Sequence, residues 1–254
     1  LPISSRLIKL THKELLKGVR GKHKTPGEYR NSQNWIGGAS LSDAAFIPPP
    51  HTEVPRLMGD LEKFTHNTKL QLPHLLKIAL IHYQFETIHP FLDGNGRVGR
   101  LLITLYLVEK GILKQPVLYL SDYFEKNRSL YYDNLMRVRT SNDLKQWVKF
   151  FLVGVIETAQ GSIRTFDQIM KLQKEVDATL QSLGARAGNA KVVIHRLYHN
   201  PLIHVRQVSE LTGLSLPSSY TLISELEHMG ILKEITGAKR GKLFMFERYI
   251  DLFK

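Results

Sequence analysis

Between His89 and Arg100 the chain reads HPFLDGNGRVGR, which gathers an imidazole, a carboxylate, a glycine-rich turn and two guanidiniums into twelve positions. Imidazole accepts a proton near neutral pH, so His89 is a candidate general base. Gly94, Asn95 and Gly96 permit backbone conformations that turn successive N–H groups toward one anion at the start of a helix. Arg97 and Arg100, three apart on that first turn, share a side and suit phosphate oxygens. Asp93 is the loop's one carboxylate, the type of group that anchors Mg²⁺ beside phosphates, since that ion keeps most of its waters. Each element alone has an ordinary structural explanation. Their conjunction fits metal-assisted transfer of a phosphorus group to a nucleophile.

Such a loop needs rigid supports, and the flanking sequence supplies two. Leu75, Leu76, Ile78, Ala79, Leu80, Ile81, Tyr83 and Phe85 are apolar nearly all round, which predicts a buried helix starting at Pro73 and ended by Pro90. A second runs from about Val98 to Lys110, with Gly111 as its cap. Before them, a helix over Ser4–Val19 is closed by Gly18 and Gly21. TPGEYRNSQNWIGG, residues 25–38, suits a short irregular hairpin, and Pro48–Pro50 cannot be helical at its centre. From Arg56 onward the chain turns helical. Later helices are expected across Tyr123–Val138, Leu144–Ala159 and Ile163–Leu183.

The small polar stretch QSLGARAGNA, residues 181–190, reads as a linker between a catalytic domain over 1–180 and a second domain over 191–254. In that second part, helices over Val192–Tyr198, Arg206–Leu211 and Pro217–Met229, then strands Leu232–Thr236 and Leu243–Phe246 around GAKRG, predict a winged helix-turn-helix. The fold class expected is mainly α.

The 254 residues suffice for one large and one small core. Absence of cysteine excludes disulfide scaffolds, thiolate metal sites and cysteine nucleophiles, and permits a cytoplasmic setting. No apolar run reaches the roughly 20 residues of a membrane span. Net charge is +12, but residues 188–254 hold 9 Lys/Arg against 6 Asp/Glu, so the surplus is spread rather than gathered into a nucleic-acid face. The helix PSSYTLISELEHMG, which would enter a DNA groove, has Glu225 and Glu227 and no Lys or Arg. Phosphate contacts are left to Ser218, Ser219, Tyr220 or the wing's Lys239, Arg240 and Lys242.

HPFLDGNGRVGR resembles the signature of the Fic (filamentation induced by cAMP) family, HxFx(D/E)GN(G/K)RxxR, at every defined position. TPGEYRNSQNWIGG resembles that family's target-positioning flap, FIPPP with the helix after it resembles the next segment, and SDYFEKNRSLYYDNL the nucleotide-side helix. The resemblance implies a helical bundle with a small β-hairpin flap, followed by the winged helix-turn-helix common in one branch. It further implies a protein adenylyltransferase using ATP and Mg²⁺. His89 would deprotonate a Tyr, Ser or Thr hydroxyl of a target protein for attack on the α-phosphorus, with Asp93 holding Mg²⁺. Gly94, Asn95 and Gly96 would bind phosphate oxygens, Arg97 and Arg100 the β- and γ-phosphates. Tyr131 and Tyr132 would border the adenosine, with a role in the helix core equally open for Tyr132, and Ile36, Gly37 and Gly38 would pair with the target backbone. Gly96, where relatives resembling kinases have Lys, favours AMP transfer. The inhibitory pattern (S/T)xxxE(G/N) is missing: the nearest, Ser121–Glu125, continues with Lys126. The expectation is that this element lies upstream or was removed, leaving a less restrained form. Partners expected are a target protein and the chain itself in self-modification; a homodimer is open, and DNA is less favoured. The alternative is a transcription regulator that senses nucleotide and binds DNA through the winged helix.

Overall fold

The structure is a computed structural model that describes residues 2–17, 25–238 and 240–253. The closing glycines Gly18 and Gly21, with Val19, and the wing's Lys239 lie outside the described residues. The chain divides into two compact units, Leu1–Gln160 and Gly161–Lys254.

In the first unit, α1 (Ser5–Leu15) starts where the Ser4 side chain accepts the Leu7 N–H, satisfying one of the donors every helix start leaves unpaired. α2 (Val54–His66) carries Pro55 in its first turn, where no backbone donor is missed. α3 (His74–Ile88) follows Pro73 and buries Ile78, Ala79, Ile81, Phe85 and Ile88. α4 (Asn95–Glu109) buries Val98, Leu102, Ile103, Tyr106 and Leu107. These two helices, both apolar nearly all round, form the centre of the first core together with Trp147, Phe151 and Phe124. They approach closely at Gly99, where a Cβ would collide with the Phe85 ring and the Glu86 carboxylate.

The segment expected to form one helix over 123–138 is two, α5 (Ser121–Lys126) and α6 (Arg128–Ser141), separated at Asn127, whose φ of −111° and ψ of 34° are not helical. Conversely, the two helices expected over 144–183 are one, α7 (Leu144–Leu180), of 37 residues. Its start is tied to α3 by the Trp147 indole N–H, which donates to the Ala79 carbonyl at 2.9 Å. The expected hairpin over 25–38 is reduced to a single antiparallel bridge, Ile36 to Phe46.

The second unit begins within α7, whose Leu172, Val176 and Leu180 join a separate core with α8 (Ala187–His199), α9 (Val205–Thr212) and α10 (Leu216–His228). Strands β1 (Leu202–His204), β2 (Lys233–Glu234) and β3 (Leu243–Met245) form an antiparallel sheet in the order β1-β3-β2, Met245 lying opposite both Leu202 and Lys233, and α11 (Glu247–Ile250) follows. Residues 181–190, read from sequence as a linker, contain instead a 3₁₀ turn over Gln181–Arg186 and the start of α8, and the division falls at Gln160/Gly161. Small polar residues masked the apolar contacts of Leu183 and Ala190, both buried in the second core.

Candidate active site

His89 ends α3 in the left-handed region, at φ 50° and ψ 60°. That conformation is uncommon for a residue with a Cβ, and the following Pro90 disfavours the right-handed alternative, so the chain leaves the helix in a fixed direction. The direction is held from outside. Arg30, only 2% exposed, donates its backbone N–H to Pro90 O at 2.8 Å, its Nε to His89 O at 3.0 Å and its guanidinium to the carbonyls of Ile88, Ser32 and Pro49. A guanidinium is suited to this, because it presents several donors in one rigid plane to the unpaired carbonyls of a helix end. Asn34 adds a donor to Phe91 O at 3.0 Å.

The other side of the loop is fixed by His12 and Asn95. His12 Nδ1 accepts the Gly27 N–H at 2.9 Å, so the proton sits on Nε2, which donates to Asp93 O at 2.9 Å. Its ring stacks on Phe91 at 3.8 Å, and burial lowers its pKa, keeping it neutral. Asn95 is buried, and its side chain bonds both ways with Phe91: Oδ1 accepts the Phe91 N–H at 2.8 Å and Nδ2 donates to Phe91 O at 2.7 Å. The Asn95 amide is therefore a staple inside the loop, and only its main chain faces the helix end.

Gly94 caps α4 at φ 81°, a conformation glycine takes without strain. The first bond of the helix is Val98 N–H to Gly94 O, so the amides of Asn95, Gly96 and Arg97 have no intrahelical acceptor. These amides, with the helix dipole behind them, are an anion-binding end. Beside them opens a cleft of about 280 Å³, lined by Asp93, Gly94, Gly96, Arg97, Arg100, Phe124, Glu125, Arg128, Tyr131 and Tyr132. Asp93 is half-exposed, one oxygen accepting the Gly94 N–H and the other 3.6 Å from Arg97.

Two of the tyrosines divide their work in a way the sequence left open. Tyr131 is buried, its hydroxyl 3.0 Å from His82 Nε2 and its ring stacked on Phe124, and burial raises its pKa well above the usual value. Tyr132 is the exposed one, at 44%. His82 gives its Nδ1 proton to Gly99 O at 2.9 Å, and burial pulls its pKa down to about 4.

The imidazole of His89 does not line the cleft itself. It stands at the far end of the loop whose near end, Asp93–Gly94, does. Its side chain is 19% exposed, and since Nδ1 is buried, the exposed part lies on the remainder of the ring. Burial, with Arg30 and Arg139 nearby, lowers its pKa to about 4, so it is neutral at pH 7 and able to accept a proton. The expected target-pairing trio is brought together only in part. Ile36 has both its N–H and its C=O engaged by Phe46, at 2.9 and 3.1 Å, which leaves Gly37 and Gly38.

Arg30, Asn34, His12 and Glu86 were not singled out from sequence. Arg30 and Asn34 sit in the segment recognised as a flap, but nothing in their spacing says that they reach the end of α3. Among the described residues no group of three or more His, Asp or Glu is placed to hold a metal ion.

The Fic/DOC family model matches residues 2–107. A probable protein adenylyltransferase of Aquifex aeolicus is 31% identical over 178 residues, covering 67% of this chain and 50% of that protein. The protein adenylyltransferase Fic of Aedes aegypti is 34% identical over 125 residues, covering 49% and 22%. The chain thus spans half the length or less of these curated relatives. Among solved structures, a Fic family protein from Desulfovibrio desulfuricans superposes with a TM-score of 0.55 at 22% identity, over 95% of this chain and 68% of that one. A Fic domain containing signaling protein from Bacteroides thetaiotaomicron gives 0.52 at 24%, over 64% and 63%. These likenesses show the fold, and the Fic/DOC family model matches residues 2–107 of this chain.

Proposed function

We propose that this chain transfers AMP from ATP to a hydroxyl side chain of a protein. The observation that carries the reading is the loop 89–97: a neutral, rigidly held imidazole at one end, and at the other a helix start with unpaired amides and two arginines beside an open cleft. In this reading the Asn95, Gly96 and Arg97 amides and the Arg97 and Arg100 guanidiniums receive the phosphates, with Gly94 providing the turn, Tyr132 borders the base, and Tyr131 supports it from the core. His89 takes the hydroxyl proton as the oxygen attacks the α-phosphorus and pyrophosphate leaves. A base of such low pKa is weak in the empty site, but a bound triphosphate brings negative charge that raises it toward the working range. Asp93 fits Mg²⁺: it is half-exposed at the cleft, and that ion is commonly held by one or two carboxylates plus substrate phosphates and water. Bound there, the ion would offset phosphate charge. The names of the curated relatives support the same activity.

Replacing His89 with Ala is expected to lower AMP transfer by roughly 10²–10⁴-fold, the usual range for a lost general base, while ATP affinity stays within about twofold. Labelled-ATP transfer to lysate proteins, read with nucleotide binding by calorimetry, measures both. Transfer that survives in the variant overturns the assignment.

The second unit we read as a winged helix-turn-helix, on the order α8-β1-α9-α10-β2-β3 and the β1-β3-β2 sheet. Its helix α10 has no Lys or Arg, which favours a protein partner over DNA.

A further inference from the structure

The end of α3 holds a group that the reading above leaves without a task. Glu86 lies one turn before His89, its side chain 8% exposed, and Oε2 is 3.8 Å from His89 Nδ1. Three buried polar atoms in this region, Glu86 Oε1, Thr87 Oγ1 and Arg139 Nε, lack a hydrogen-bond partner, and His89 Nδ1 has only a weak contact with the Glu86 backbone. Leaving such atoms unpaired is unfavourable, by about 1–3 kcal/mol each, and the carboxylate whose Oε2 lies nearest to His89 Nδ1 is itself only partly satisfied. Arg100 and Arg139 face this carboxylate with opposite charge, yet neither bonds its Oε1. Gly99 provides the space beside its Oε1, and an apolar residue would fill that space without an unpaired oxygen.

Resting on the proposed AMP transfer, we infer that Glu86 is a positioning residue for the base: its carboxylate accepts the Nδ1 proton of His89, fixing the tautomer whose Nε2 lone pair faces the incoming hydroxyl. A closure of about 1 Å brings the 3.8 Å separation into hydrogen-bond range, and catalytic contacts of this type are commonly long before substrate binds. When the hydroxyl oxygen bonds to the α-phosphorus and the bond to pyrophosphate breaks, the hydroxyl proton moves to Nε2. The imidazolium so formed is held by the Glu86 carboxylate until Nε2 releases that proton to solvent or to pyrophosphate.

The groups facing Glu86 are His89 on its own helix, Arg100 from α4, and Arg139 and Tyr131 from α6. Arg139 also donates to the Glu86 carbonyl at 3.5 Å, and Arg30 faces His89. Burial pushes the Glu86 carboxyl up to about 7 against the pull of the two arginines. Glu86 therefore ionises within the working range, and transfer rises as pH passes through about 7.

The experiment is ¹⁵N NMR of the histidine rings in the wild-type chain, with the His89 signal assigned by its loss in His89→Gln, alongside kinetics of Glu86→Gln. The expected result is an Nδ1–H tautomer at His89. In the variant, kcat falls about tenfold with KM for ATP within about twofold, and the limb of the pH profile near 7 disappears. An Nε2–H tautomer in the wild type overturns the inference, as does a variant that keeps both kcat and the limb, or one whose loss is confined to KM or to thermal stability. If the wild type transfers no AMP, the proposed function fails, and the tautomer still judges Glu86 separately.

Discussion

At the scale of single residues, the site depends on polar side chains that are buried to hold other things still. Arg30 is the clearest case. Its guanidinium satisfies carbonyls of His89, Ile88, Ser32 and Pro49, so Arg30→Ala leaves several buried acceptors unpaired. The loss is expected to be roughly 3 kcal/mol or more, measured as a lower urea midpoint, with AMP transfer falling further than nucleotide binding because His89 loses its support. Arg30→Lys, with one ammonium in place of a fork, is expected to restore only part of either. The buried histidines set a pH dependence of definite sign. His82 and His89 have folded pKa values near 4 against about 6.5 unfolded, so between those values the unfolded chain binds more protons and stability falls as pH is lowered. For His82 alone the loss is about 3 kcal/mol at most. Glu86 acts oppositely, its raised pKa costing stability as pH climbs from about 4.5 to about 7. His82→Phe removes one titrating ring and the partners of Gly99 O and the Tyr131 hydroxyl. It is therefore expected to be less stable at pH 7 yet to lose less on acidification from 6.5 to 4, as urea titrations at several pH values would show.

At the scale of elements, α3 and α4 position the loop by their close crossing, and two glycines on α4 separate packing from binding. At Gly99 an added Cβ meets the Phe85 ring and the Glu86 carboxylate, so Gly99→Ala is expected to destabilise by roughly 1–3 kcal/mol. At Gly96 the Cβ meets only the Arg100 guanidinium, at 3.1 Å. That group swings aside, so Gly96→Ala is expected to keep the urea midpoint and raise KM for ATP. Helices α3 and α4 were legible because apolar residues run nearly all round them, and the loop because its residue types are rare in combination. Other elements were not. The break expected between Ala159 and Ile163 holds Gly161, but one glycine costs only about 1 kcal/mol in a helix, too little to stop one anchored at both ends in a core. The break at Asn127 carries no proline or glycine to announce it. Strand β1 is three residues long, and its pairing with β3 is a contact across some forty positions that local pattern does not record. The tyrosine pair shows the same limit: adjacent residues on α6 point roughly 100° apart, and which one meets the core is decided by contacts with His82 and Phe124.

At the scale of the molecule, two cores are each complete with their own buried residues, and α7 contributes to both: Trp147, Phe150 and Phe151 to the first, Leu172, Val176 and Leu180 to the second. Units with separate cores unfold separately when what joins them is weaker than what each contains. The exposed middle of α7, with Ile156, Ile163 and Phe166 open to solvent, has little apolar burial of its own to transmit cooperativity. Calorimetry of the whole chain is therefore expected to show two transitions. ATP with magnesium should raise only the one belonging to the first unit, by about 2.7 kcal/mol at about 100 times Kd, because a ligand stabilises the unit that binds it. Leu226→Ala, a truncation in the second core, should lower only the other, by roughly 2–5 kcal/mol. A single transition moved by both would mean that α7 couples the cores, and that occupancy of the second unit by a partner can alter the stability of the loop that carries His89.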